Sequence, residues 1–158
     1  MARQEASEQM GVTRESLLEV AKQAIADLCE IKLEEVSVSE QGVIDFGSHG
    51  ASTAVFFWPD DEPLSYAFRA TLLQDIEESP LVYELINHLN KDIVIGQVFY
   101  DKGEIVLFYR LLVDQPTPDT VVSALEYLQE VADDYDDRLK LRLGGKRFIE
   151  ISEDEIEV

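Results

Sequence analysis

The sequence predicts an α+β fold: one antiparallel β-sheet with helices, in the order α-β-β-β-α-β-β-α. Three observations carry it. Apolar residues recur at helical spacing in three separate stretches, each opened by a hydroxyl residue suited to capping. Between these stretches apolar residues alternate with a period of two. Short turns rich in glycine, proline and acids separate the alternating segments, which reads as hairpins. Strands grouped between helices, with no regular β-α-β alternation, point to α+β and an antiparallel sheet.

Each element has its own justification. Residues 1–12 read as a flexible tail. Thr13 is a helix cap, Glu15 suits the positive end of the dipole, and Leu17, Leu18, Ala21, Ala24, Ile25 and Leu28 form a stripe, so the first helix spans about 13–30. From residue 35 "EVSVSE" and "GVIDFG" alternate around a turn at 40–42. "AVFFW" and "LSYAFRATLL" flank "PDDEP" at 59–63, a turn with two prolines. In the second helix Ser79 caps, Pro80 takes the first helical position, and Leu81, Leu85 and Leu89 form the buried stripe with Val82 and Ile86. Two apolar segments around Asp101-Lys102-Gly103 make the clearest hairpin. Thr117 and Pro118 open the last helix, and Gly144-Gly145 stop it. A single domain over 13–148 follows, with an acidic tail at 149–158.

Composition narrows the function classes. Nearly half of the 158 residues (46%) are apolar, enough for a real core. The 33 acids against 13 lysines and arginines give a net charge of −20, which repels nucleic acid and anionic membranes and permits basic partners. No apolar run reaches membrane-spanning length, and "MARQEASEQMG" lacks the apolar stretch of a signal peptide, so a cytoplasmic protein is expected. The single cysteine, Cys29, excludes an internal disulfide, and helical spacing predicts that it is buried.

The strands carry the functional hint. A sheet with one wet face should alternate cleanly, and these strands are apolar on both faces. Ile105, Leu107, Tyr109 and Leu111 share one face, while Val106, Phe108, Arg110 and Leu112 share the other. In "AVFFW", Val55 and Phe57 oppose Phe56 and Trp58. Three helices can cover one face, which leaves an apolar surface on the other. Such a surface marks an interface unless the last helix or the tail covers it. If the registers hold, Phe56, Trp58 and Phe108 lie on one face with Arg69 and Arg110, and these five are the candidate partner-binding residues. The two arginines either pair with acids structurally or grip a partner's carboxylate.

The acid-rich "VADDYDDRLKLRLGG" at 131–145 raises the question of a metal. Asp133 and Asp137 share a helix face and Asp134 meets Arg138, but the alternating ligands and late glutamate of a calcium loop are missing. The aspartates are therefore expected to face water, with Tyr135 buried. His49 and His88 lack zinc-ligand spacing, and there is no GxSxG, GxGxxG or phosphate loop. No catalytic residue, metal or cofactor is expected.

The stretch "ELINHLNKDIVIGQVFYDKGEIVLFYRLLVD" followed by "VVSALEYLQEVADDYDDRLKLRLGG" resembles the YbjN-like family, which is grouped with the type III secretion chaperones. The resemblance covers about residues 80–145, and the tail after Phe148 is not part of it. It implies an α+β domain of the order given above, often a homodimer, that binds an extended segment of another protein without catalysis. The expectation is a non-enzymatic, chaperone-like protein that holds a peptide or partner protein on an apolar surface. The alternative is an acidic regulatory protein that docks a basic partner, even as a nucleic-acid mimic.

Overall fold

Thr13 starts the first helix, α1 (Arg14–Cys29), through a reciprocal cap. Its hydroxyl accepts the Ser16 N–H at 3.2 Å, and Ser16 Oγ accepts the Thr13 N–H at 2.8 Å. The computed structural model describes residues 12–47 and 54–146. A 3₁₀ turn (Leu33–Glu35) leads to β1 (Ile44–Phe46), β2 (Val55–Asp61) and β3 (Leu64–Leu73). Helix α2 (Pro80–Asp92), β4 (Gln97–Asp101), β5 (Glu104–Leu112) and α3 (Pro118–Leu143) follow. This is the expected α-β-β-β-α-β-β-α order.

The sheet is antiparallel throughout, with strand order β1-β2-β3-β5-β4. Lys102 and Gly103, both at positive φ, form the two-residue turn between β4 and β5, so Asp101 opposes Glu104. All three helices lie on one face of this sheet: α1 and α3 pack over β2 and β3, and α2 packs beside β4. Their apolar stripes meet a cross-strand row of rings. Phe57 stacks on Phe68 at 5.4 Å between centroids, and Phe68 stacks on Tyr109 at 5.9 Å. Leu17, Leu125 and Leu128 close the core above this face. Each such side chain contributes roughly 1.5–3 kcal/mol by leaving water. The Tyr66 hydroxyl donates to the Leu17 carbonyl at 2.5 Å, which ties α1 to the sheet. Burial pushes that phenol's pKa up, so it stays a donor at any ordinary pH.

Several sequence expectations change at this level. Cys29 is exposed, because it is the last residue of α1 and the chain turns away at Glu30 in the left-handed conformation. In α2 the buried stripe is Val82, Ile86 and Leu89, whereas Leu81 is exposed. The helix has only one packed side, and that side points to Val98 and α3. Pro59, Asp60 and Asp61 belong to β2, so the turn is reduced to Glu62-Pro63. Asp136 is fully buried, not solvated: Gln129, Ala132, Asp136 and Leu139 recur at three- and four-residue steps on the packed side of α3. Asp134 does pair with Arg138, at 3.2 Å, and Tyr135 is buried. The expected tails at 1–12 and 149–158 lie outside the described residues apart from Val12, as does His49.

Candidate functional site

The face of the sheet away from the helices brings together all five residues singled out from the sequence. The register decides it. Phe56 opposes Arg69 across β2 and β3, and Arg69 opposes Phe108 across β3 and β5. Trp58 opposes Ala67, which opposes Arg110. Thus Phe56, Trp58, Arg69, Phe108 and Arg110 share one surface, and each is half-buried. Among the described residues no helix covers it.

The rings form a continuous strip. Phe108 contacts Trp58 on one side and Phe99 of β4 on the other, both at 6.5 Å between centroids and tilted. The Arg110 guanidinium lies 5.8 Å from the Phe108 ring centre, within cation–π range. Both arginines are already engaged. Arg69 pairs with Glu104 at 3.3 Å, and Arg110 bonds Asp60 at 3.1 Å and the Ser65 hydroxyl at 3.0 Å. The bond from Arg110 holds the Asp60 carboxyl below the usual range. These pairs support the structural reading of the arginines: they hold long stems flat over apolar floor and leave no free cation to grip a carboxylate.

The edges of the sheet are treated unequally. Asn90 of α2 turns its side chain onto β4, where Oδ1 accepts the Val98 N–H at 2.8 Å and Nδ2 donates to the Val98 carbonyl at 3.0 Å. This mimics a neighbouring strand and blunts the outer edge of β4. Past the end of β1, the Arg14 guanidinium bonds the carbonyls of Pro59 and Gln41 at 3.3 and 2.8 Å. One stretch differs. β4 begins at Gln97, opposite Phe108, so Tyr109–Leu112 of β5 extend beyond it. The tight turn makes Asp101 and Glu104 a bonded pair, and alternation then aims the backbone groups of Arg110 and Leu112 at this open step. A groove of about 370 Å³ lies there, lined by Gly96, Gln97, Phe108, Tyr109 and Arg110. Exposed apolar side chains surround it: Val94 is 85% exposed, Leu112 67% and Ile95 37%.

A second groove separates α1 from α3, with Leu28 and Phe46 as floor and Glu126, Glu130 and Asp133 on the rim. Among the described residues no three histidine, cysteine or acidic side chains converge as metal ligands. None of the described helices is long and apolar enough to cross a membrane.

Reasoning from sequence missed Phe99, the carboxylate partners of the arginines, and the β5 step. Phe99 was within reach: a two-residue turn at Lys102–Gly103 places it opposite Val106, on the open face. The partners were not. Asp60 is 50 residues from Arg110 in the chain, and only the β2-β3-β5 register brings them together.

Solved structures share this fold, among them two complexes. The crystal structure of the ExsC–ExsE complex contains a chain with a TM-score of 0.63 and 14% identity, covering 78% of this chain and 93% of its own length. The Yersinia pestis type III secretion chaperone SycH, in complex with a stable fragment of YscM2, gives a TM-score of 0.54 at 15% identity, covering 73% and 96%. At these identities the likeness establishes the fold. No curated protein sequence matches the chain. Residues 15–151 match the family described as "T3SS (YopN, CesT) and YbjN peptide-binding chaperone 1", and the chain therefore belongs to this family of non-enzymatic peptide-binding chaperones.

Proposed function

We propose that this chaperone holds an extended segment of a partner protein across the open sheet face, in the cytoplasm and without nucleic acid. The observation that carries the reading is the unbroken strip Trp58–Phe108–Phe99, flanked by Phe56 and by two arginines whose charges are met locally. Rings supply large contact area at little cost in side-chain entropy, and the neutralised arginines add flat, adaptable stems. The similar chains of known structure were each solved with a second protein, ExsE and a YscM2 fragment, which supports a protein client here.

Site-specific photo-crosslinking tests this. A benzophenone side chain is placed at Phe108 in one variant and at Glu130, on the α1–α3 groove, in another. Adducts with client protein are expected from position 108. Adducts from position 130 alone would move the site to the acidic groove and favour the alternative of a basic partner docked by charge.

The working form in this reading is a homodimer, joined at the β5 step and not across the ring strip. Two copies related by a twofold axis can pair Arg110 with the other copy's Leu112 and satisfy the outward backbone groups of both. The exposed Val94, Ile95 and Leu112 would be covered in the same contact. Sedimentation equilibrium at micromolar concentration should give about twice the 17.9 kDa chain mass. The pair Val94→Lys and Leu112→Lys should return the monomer mass. A wild-type monomer would remove this assembly.

A further inference from the structure

The open face has a sign as well as a shape. Among the described strand residues its charges are Asp45, Asp60, Asp101 and Glu104 against Arg69 and Arg110. Asp60 and Glu104 are matched by the two arginines. Asp45 and Asp101 remain, at opposite corners of the sheet, with no cationic partner among the described residues. Asp45 lies opposite Phe56 on edge strand β1. Its side chain is exposed, yet the neighbouring strand residues take some of its hydration, which raises its carboxyl above the ordinary range. Asp101 stands directly opposite Glu104, a like-charged cross-strand pair that costs stability. Both carboxylates therefore gain from an incoming cation.

From this arrangement we infer that the client segment on the open face is apolar in its middle and carries lysine or arginine at both ends, one cation for Asp45 and one for Asp101. This rests on the open face being the client surface. Strand spacing of ~4.8 Å and a rise of ~3.3 Å per residue put the two corners about 23 Å apart on the diagonal, which is about seven residues of extended chain. The net charge of −20 acts in the same direction over longer range, drawing a basic segment in and raising its association rate. It also argues against the other occupants. A second copy would bring Asp45 and Asp101 against the same acids again. The chain's own end, "ISEDEIEV", would bring acids and no cation.

The single tryptophan of the chain, Trp58, lies on this face and reports its occupation. The probes are three capped eight-residue peptides whose six central residues alternate valine and serine, and whose ends are both Lys, both Gln or both Glu. The Lys peptide should shift Trp58 emission to shorter wavelength and bind about tenfold tighter than the Gln peptide. The Glu peptide should bind more weakly than either. Half-molar salt should bring the Lys peptide close to the Gln peptide. Asp45→Asn with Asp101→Asn should do the same at low salt while leaving the Gln peptide's affinity unchanged. Both are exposed residues, and each single change, run in parallel with thermal unfolding, should give part of the loss. Equal binding of all three peptides, or a Lys advantage that survives the double change, overturns the charge inference and leaves the face itself in place. No emission change with any peptide removes the face as the client surface. In the Val94→Lys/Leu112→Lys protein, which lacks the β5 contact, emission that moves on dilution, or on removal of residues 147–158, with no peptide present, assigns the face to a second copy or to the chain's own end and overturns the inference as well.

Discussion

Phe108→Asp is expected to abolish client binding and leave a folded protein. The ring sits half-buried on β5, with Trp58 and Phe99 on either side and no helix above it among the described residues. A carboxylate placed there loses hydration only when a client covers it, and an uncompensated charge in an apolar contact costs several kcal/mol. Affinity should therefore fall by at least about a hundredfold. In the free chain the new carboxylate can return to water, beside Arg69 across the ladder and Arg110 two residues on. The loss of ring contacts should lower the melting temperature by only a few degrees. Circular dichroism, light scattering and a client-binding titration read the outcomes separately. An aggregated Phe108→Asp protein would make this ring core and send the client surface elsewhere.

Phe68→Ala is expected to do the reverse, with a large effect on the fold itself. Phe68 is the neighbour of Arg69, so its side chain points to the helices. It is 1% exposed and stacks between Phe57 and Tyr109. Truncation removes the ring's transfer free energy and leaves a cavity in a close-packed core, together about 3–5 kcal/mol. A domain of this size has a total stability of roughly 5–15 kcal/mol, and each kcal/mol moves the melting temperature by about 2–4 °C. The midpoint should fall by about 10 °C or more, and urea denaturation should show the loss with its slope unchanged. A loss below about 1 kcal/mol would mean that this ring does not hold the sheet to its helices. Together the two changes test the division of the sheet into a structural and a functional face, one residue of register apart.

The elements and the residues on each sheet face were partly legible in advance, and the reasons differ from residue to residue. The helix starts at Thr13, Ser79 and Thr117 were readable because capping is local: a hydroxyl meets an N–H two or three residues on, whatever the rest of the chain does. The β4–β5 turn was readable because Gly103 takes positive φ without strain, directly between two alternating apolar segments. Parity along each strand placed Phe56 with Trp58, and Phe108 with Arg110, since side chains alternate by geometry alone. Local rules also misled. Periodicity buried Cys29 and Leu81, yet a stripe says only which residues are apolar, and the neighbouring element decides which of them it touches. Asp136 went the other way. Its charge suggested water, and the packed side of α3 runs through its position regardless.

What the sequence determined by itself is the element order, the antiparallel hairpins and the presence of apolar residues on two sheet faces, because each follows from contacts within a few residues of chain. The tertiary structure alone decided that α1, α2 and α3 all lie on one face, that Arg69 and Arg110 find Glu104 and Asp60, and that β5 outruns β4 by four residues. These depend on strand order and on register between segments tens of residues apart. Such pairings form only when the whole core closes, because the entropy of joining distant segments is offset by the collective burial of the core and not by any one pair.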